Sequence, residues 1–160
     1  MGADLYIQSI YKENEAKWNP KFRDAVARRD AATEEGNQTL ADEIQKEVME
    51  CYEQMNAIGY FRDSYNTSSI LWLLGLSWWE NIGAMLNKRN FLSVTKAKKL
   101  KKMIAEKEVP EITREWLEEN GYGEEQDIAQ VNKYYKDAKD ELLAFLDKAI
   151  EMKEAIYCSI

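Results

Sequence analysis

One long apolar seam near the C-terminal end constrains the fold more than any other feature of the sequence. An apolar side chain recurs there at alternating steps of three and four, in the order Ile128, Val131, Tyr135, Ala138, Leu142, Phe145, Ala149, Met152 and Ile156. A mean period of about 3.5 residues is typical of a helix that packs one face against another helix. The seam predicts a long C-terminal helix over residues 125–157.

The seam allows two interpretations. In the first, it packs within the chain against a second apolar stripe over residues 40–58. In the second, it forms a homodimer interface with another copy of the chain. The stripe has matching helical spacing, through Leu40, Ile44, Val48, Cys51, Met55 and Ile58. We favour packing within the chain, because a domain of about 160 residues needs that surface for its own core.

The remaining sequence predicts an all-α fold, a single-domain bundle of five or six helices over residues 1–160. With only 2 Pro and 7 Gly the chain contains few helix breakers. Asn19 and Pro20 predict a helix start, and residues 70–86 predict a central helix that carries three tryptophans. Leu5 and Ile7 alternate as in a strand, but no second strand is evident, so residues 1–12 are predicted to form an extended arm. Residues 60–69 are predicted to form a polar and aromatic loop.

The distribution of charge argues against nucleic acid as a partner and allows a local site for a small anion. The net charge of −7 opposes non-specific nucleic-acid binding, which needs lysine and arginine over a broad face. The exception is residues 81–107, with eight basic side chains and one acidic. A helix capped by Ser93 or Thr95 would begin there, so Lys88, Arg89 and Lys96 are candidates for a secondary anion site. A solvated basic face is an equally good interpretation.

The residue types favour a binding protein over an enzyme. The chain contains no histidine, and its two cysteines lie far apart, so we expect no metal and no cofactor. Arg62, Asp63 and Tyr65 could transfer a proton in a buried cleft, but an Asx turn at Asp63 is the favoured interpretation. The start has no signal-peptide pattern and the longest apolar run is too short to span a membrane. We therefore expect a cytoplasmic protein with reduced cysteines and no membrane partner.

The best candidate ligand site lies where the 60–69 loop, the tryptophan helix and the arm would meet. Loop donors and aromatic walls are the usual parts of a binding pocket. The predicted ligand-binding residues are Arg62, Ser64, Tyr65, Asn66, Ser68, Trp72, Trp79 and Tyr6. Arg62 would hold an anionic group through its planar fork, and at least one of Trp72 and Trp79 is expected to be buried.

Three short stretches of the chain resemble a family of small uncharacterised proteins of bacteriophages and bacteria. They read Met-Gly-Ala-Asp-Leu-Tyr-Ile at positions 1–7, Gly-Tyr-Phe-Arg-Asp-Ser-Tyr-Asn at 59–66 and Leu-Ser-Trp-Trp at 76–79. The resemblance implies a phage or prophage origin and an accessory role in infection. By analogy with phage inhibitors of host defence, the chain would sequester an anionic small molecule such as a nucleotide immune signal. The alternative is an inhibitor or adaptor that binds a host protein through its acidic surface or its long helix.

Overall fold

The computed structural model describes residues 2–160, so Met1 of the predicted arm lies outside the described residues. Contacts divide the chain into two compact units. One contains residues 8–60, and the other contains residues 61–160 together with the strand that begins at Gly2. The prediction of one domain over residues 1–160 stays a prediction. No helix among residues 2–160 has the length and apolar character needed to cross a bilayer.

Residues 8–60 form an antiparallel pair of helices, α1 (Gln8–Glu34) and α2 (Gln38–Asn56). Gly36 turns the chain between them at φ 74°, and the Asn37 side chain caps α2 by accepting a hydrogen bond from the Leu40 N–H. The helices pack through small and branched side chains: Ala25, Ala32, Ala41, Ile44 and Val48. Alanines let two helix backbones approach closely, and this explains the tight pairing.

Two local predictions in this unit need correction. Pro20 lies inside α1 rather than at a helix start, and residues 8–12 of the predicted arm are also helical. Because α1 packs along α2, tertiary packing outweighs the missing N–H of Pro20. The residue with a left-handed backbone after α2 is Ile58, at φ 65°, and not the glycine that follows it.

A glycine is required at position 59 because of close packing. A Cβ there would lie 2.8 Å from the Tyr11 nitrogen.

The second unit contains a four-stranded antiparallel sheet, so the all-α prediction is correct only for the helical part of the fold. The strands are β1 (Gly2–Tyr6), β2 (Tyr60–Ser64), β3 (Phe91–Leu92) and β4 (Ile156–Ser159), in the order β2-β1-β4-β3. Leu5 pairs with Cys158, and Leu92 pairs with Ile156. Strands distant in sequence complete the sheet, and for this reason the isolated alternation at Leu5 did not reveal it.

Four further helices belong to this unit: α3 (Ile70–Leu73), α4 (Val94–Ala105), α5 (Arg114–Glu119) and α6 (Ile128–Glu151). The seam residues Tyr135, Leu142, Phe145 and Ala149 are buried, and α6 packs against α4. In the other unit, the stripe over residues 40–58 packs against α1. This supports packing within the chain for that part of the seam. The long C-terminal helix is confirmed, with shorter bounds than 125–157.

The end of α6 shows why it is shorter than predicted. Lys153 has φ 55°, and its N–H bonds to the Ile150 carbonyl, while the Glu154 N–H bonds to the Ala149 carbonyl. This pair of bonds is a Schellman motif, which ends a helix. Ile156 therefore continues the spacing of the seam but belongs to β4.

A second Schellman motif interrupts the predicted tryptophan helix over residues 70–86. Gly75 has φ 66°, its N–H bonds to the Trp72 carbonyl, and the Leu76 N–H bonds to the Leu71 carbonyl. The chain then forms a π-helical turn over Trp78–Ile82 and a 3₁₀ turn over Gly83–Met85. The three tryptophans therefore do not share one helix, and their burial cannot follow helical spacing.

Candidate functional site

A cleft of about 780 Å³ opens in the unit that contains the sheet. Strand β2 and the residues before α3 form one wall, and the first half of α6 with the segment before it forms the other. The lining residues are Gly2, Phe61, Arg62, Asp63, Ser64, Ser68, Ile70, Tyr122, Gln126, Gln130, Val131, Tyr134, Tyr135, Asp137, Ala138 and Glu141. Volumes of this size are typical of small-molecule sites.

Hydrogen bonds fix the two walls relative to each other. The Tyr135 hydroxyl donates to the Ser68 carbonyl at 2.9 Å and ties α6 to the loop before α3. The Arg114 guanidinium donates to the carbonyls of Glu124 and Gln126 at 3.2 and 3.0 Å, and this holds the segment before α6. The cleft is therefore built before any ligand arrives.

Aromatic rings line the α6 side of the cleft. Tyr135 is buried, whereas Tyr134 is 65% exposed, and their rings meet edge to face with centroids 5.2 Å apart. Trp116 stacks on Tyr122 at 5.9 Å and meets Tyr135 at 6.0 Å. Burial raises the pKa of Tyr135, so its hydroxyl stays protonated at neutral pH. Tyr134 thus contacts the buried Tyr135 ring and is itself largely exposed.

Asp63 lies on the β2 wall of the cleft, where its carboxylate accepts four hydrogen bonds from the chain itself. Its Oδ1 accepts hydrogen bonds from the N–H groups of Ser64 and Ile70, at 2.9 and 3.1 Å. Its Oδ2 accepts from the Leu71 N–H at 3.2 Å and from the Trp78 indole N–H at 2.9 Å. Burial raises the pKa of Asp63, and the four hydrogen bonds oppose part of that rise. Three of the four bonds hold the start of α3 and the π turn, in agreement with a structural carboxylate rather than a proton-transfer group.

Three of the predicted ligand-binding residues line the cleft, and one of the three, Arg62, is charged. Residues 60–64 of the predicted 60–69 loop form strand β2 instead, because they complete the sheet beside β1. Arg62 lies on β2, with its guanidinium 3.5 Å from the Asp4 carboxylate and its side chain 57% exposed. Ser64 and Ser68 also line the cleft, but their hydroxyls donate to Oδ1 of Asn66, at 2.7 and 2.6 Å. The serines and the asparagine therefore shape the loop, and Arg62 is the predicted residue best placed to meet a ligand.

The predicted aromatic walls lie elsewhere. Trp72 and Trp79 are 56% and 58% exposed and, like Tyr65 and Tyr6, are not among the lining residues that the structure describes. Tyr65 packs on Trp79 with centroids 5.2 Å apart. Tyr6 packs on Tyr157 of β4 with centroids 6.1 Å apart. The expected burial of Trp72 or Trp79 is wrong because the break at Gly75 separates the two turns.

Trp78, which was not a candidate, is the buried tryptophan of the segment, at 3% exposure. Its indole N–H reaches Asp63, and this satisfies the one polar group that burial would otherwise leave unpaired.

The secondary anion candidates are exposed and do not belong to the cleft as the described residues define it. Lys88 and Arg89 lie in the turn before β3, where Asn90 has φ 62°. Lys96 lies in the first turn of α4, and its N–H bonds to the capping Ser93 side chain at 3.3 Å. This arrangement is that of a solvated basic segment at a capped helix start.

The α6 wall was missed from sequence. Four of its lining residues follow helical steps of 4, 3 and 4, namely Gln130, Tyr134, Asp137 and Glu141. Each lies one residue before a member of the apolar seam, so a polar and aromatic stripe flanks the seam on α6. The signal was present in the spacing, but nothing in the sequence showed that β2 lies opposite.

Among residues 2–160, no three carboxylate or thiol side chains come together as a metal site would require. Comparison of the chain with protein-family models, with curated proteins and with solved structures finds no match.

Proposed function

We propose that this chain is a non-enzymatic binding protein whose cleft takes a small aromatic ligand with one anionic group, of the nucleotide class. The observation that carries the proposal is the preformed cleft of about 780 Å³, with tyrosines on one wall and Arg62 on the other. Aromatic faces stack on a planar base, and a guanidinium forms two hydrogen bonds to a phosphate or a carboxylate.

Charge limits the ligand to a modest number of negative groups. Arg62 is the cation among the described lining residues, whereas Asp63, Asp137 and Glu141 are carboxylates. Asp63 accepts four internal hydrogen bonds and Asp137 pairs with Lys133, so both have local partners. A triphosphate would meet repulsion that a single phosphate at Arg62 avoids. A mononucleotide therefore fits the cleft better than a polyanion does.

Sequestration is the role that we propose for such binding. The resemblance to small phage and bacterial proteins suggests an accessory role in infection, and a protein that removes a nucleotide immune signal needs only affinity. Asp63 is committed to structural hydrogen bonds, and this favours binding over turnover.

The second candidate is a protein–protein inhibitor or adaptor that acts on a host protein. The specific observation in its favour is the exposure of two tryptophans, Trp72 and Trp79, because exposed indoles are typical anchors of protein interfaces. Trp79 is also held by Tyr65, which reduces the entropy that an interface would cost.

Arg62→Ala tests the first candidate, with Arg89→Ala as the matched control outside the cleft. Protein purified from its natural host is denatured and filtered, and absorbance near 260 nm in the filtrate is measured. We expect the wild type and Arg89→Ala to release the same nucleotide-like material. Arg62→Ala should release at most a tenth as much, with a melting temperature within a few degrees of wild type.

Two results would count against this assignment. Equal release from Arg62→Ala would show that Arg62 does not hold the ligand. Protein that releases no such material but captures one stoichiometric host protein, and loses it on Trp79→Ala, would favour the second candidate.

A further inference from the structure

A row of three aromatic side chains crosses the sheet on the face opposite to the core. Tyr6 of β1, Tyr157 of β4 and Phe91 of β3 are each half-buried, and Tyr157 lies directly opposite both of the others in the strand register. The Tyr157 ring centroid lies 6.1 Å from that of Tyr6 and 5.4 Å from that of Phe91. The residues next to the three rings in their strands are fully buried, namely Leu5, Leu92, Ile156 and Cys158. Because the side chains of a strand alternate between its two faces, the rings lie on the outer face of the sheet.

The row forms a surface on which planar groups can stack. Tyr6 and Tyr157 lie on the two central strands of the sheet, so strand pairing on both sides holds their backbones in place. Four-stranded antiparallel sheets that carry aromatic side chains on one face recur in proteins that bind the bases of single strands. Cross-strand ring pairs also stabilise a sheet by themselves, so the identity of a ligand depends on the charge beside the row.

Positive charge adjoins the row at Phe91. β3 lies within the basic segment over residues 81–107, which carries eight basic side chains and one acidic. Lys88 is exposed, and the ion pairs of the described residues include none with it. Its turn is fixed beside Phe91, because the Asn87 N–H bonds to the Phe91 carbonyl and the Phe91 N–H bonds to the Asn87 side chain, both at 3.0 Å. Lys88 is therefore placed to attract a phosphate of a ligand that lies on the row.

The net charge of −7 argues against a broad nucleic-acid surface, but the row needs only a local positive charge. Asp4, which lies on the same face of β1 as Tyr6, pairs with Arg62 at 3.5 Å, so this pair is neutral. Three rings match about two or three nucleotides of a single strand. A duplex keeps its bases stacked on one another, so it offers no free base to the rings.

We infer that the outer face of the sheet binds a short segment of single-stranded nucleic acid, with bases on Tyr6, Tyr157 and Phe91 and the phosphate backbone toward Lys88. The inference goes beyond the proposed function, because none of the three rings is among the described residues that line the cleft. RNA and DNA share the stacking and the phosphate chemistry, and the probes of the test distinguish them.

Fluorescence anisotropy with labelled oligonucleotides of about twelve nucleotides tests this surface. We expect the wild type to bind single-stranded oligouridylate, oligothymidylate or both, and to bind a hairpin duplex at least about tenfold more weakly. The affinity should fall as the salt concentration rises, because phosphate contacts release counter-ions. A difference between the two single strands measures the contribution of the 2′-hydroxyl groups.

Substitutions locate the binding surface. Tyr157→Leu removes the central ring but keeps an apolar side chain, so it should weaken binding about fivefold or more, and Phe91→Leu should act in the same direction. The matched control is Tyr52→Leu, which removes an exposed tyrosine of α2 and should change the affinity by less than about twofold. Lys88→Glu should weaken binding about threefold or more at low salt, whereas Lys136→Glu, at an exposed position of α6, should not.

Three results would overturn the inference: no binding of either single strand by the wild type, equal affinity for the hairpin duplex, or equal effects of Tyr157→Leu and Tyr52→Leu. If Tyr157→Leu does not fold, Phe91→Leu and the duplex comparison still decide between the outcomes. Self-association that is lost in Tyr157→Leu, without oligonucleotide binding, would identify a second copy of the chain as the occupant and would also overturn it. Binding of a mononucleotide in the cleft does not depend on the row, so either proposal can fail while the other stands.

Discussion

Replacement of Asp63 by asparagine should destabilise the protein, although the two side chains have nearly the same shape. Each carboxylate oxygen accepts two hydrogen bonds, Oδ1 from Ser64 and Ile70 and Oδ2 from Leu71 and Trp78. An asparagine can present its oxygen to only one of these pairs. In either orientation its NH₂ group faces two N–H donors, which lose their acceptor.

The size of the effect follows from that count. An unsatisfied buried donor costs about 1–3 kcal/mol, so two of them cost roughly 2–6 kcal/mol in the free energy of unfolding. Removal of a buried charge returns part of this, because burial of the carboxylate is itself unfavourable. We expect a net loss of about 2 kcal/mol, and a larger loss for Asp63→Ala, which orphans all four donors.

Asp127→Asn is the matched control. Asp127 caps α6 through Oδ1 alone, which accepts from Ala129 and Gln130 at 2.9 and 3.4 Å. Asparagine can reproduce both bonds and is an equally good capping residue, so this variant should lose less than about 0.5 kcal/mol. Urea denaturation followed by far-ultraviolet circular dichroism measures both variants. Equal losses for Asp63→Asn and Asp127→Asn would refute the four-bond account of Asp63.

Two further predictions concern stability. Trp78→Ala should lower the free energy of unfolding by about 3–5 kcal/mol, because the Trp78 side chain is 3% exposed and hydrogen-bonded to Asp63. Trp72→Ala should lower it by less than about 1 kcal/mol, because Trp72 is 56% exposed. A larger loss for Trp72→Ala than for Trp78→Ala in urea denaturation would contradict this placement of the two indoles. Ile58→Gly should raise the unfolding free energy by about 0.5–1 kcal/mol, because a β-branched residue is strained at φ 65°. Ile58→Ala keeps a Cβ and should gain less, and a loss on Ile58→Gly would contradict the strain.

Sequence patterns predicted those helices that are specified by residues close together in the chain. The seam predicted α6, and Ser93 or Thr95 predicted a helix start, where the Ser93 side chain accepts the hydrogen bond from the Lys96 N–H. Of the candidate site, the sequence predicted Arg62 on a cleft wall together with two serines of the same loop. These predictions depended on neighbours within one or two helical turns.

What the sequence by itself determined is thus the helical content and the long C-terminal helix. The tertiary structure decided the sheet, because the pairing of Leu5 with Cys158 joins strands more than 150 residues apart and leaves no short-range pattern. It also decided where helices stop, at Gly75 and Lys153, and which tryptophan is buried. The α6 wall became part of a site for the same reason. Its residues follow ordinary helical spacing, and only the packing of α6 beside β2 brings Glu141 and Tyr134 into a cleft with Arg62.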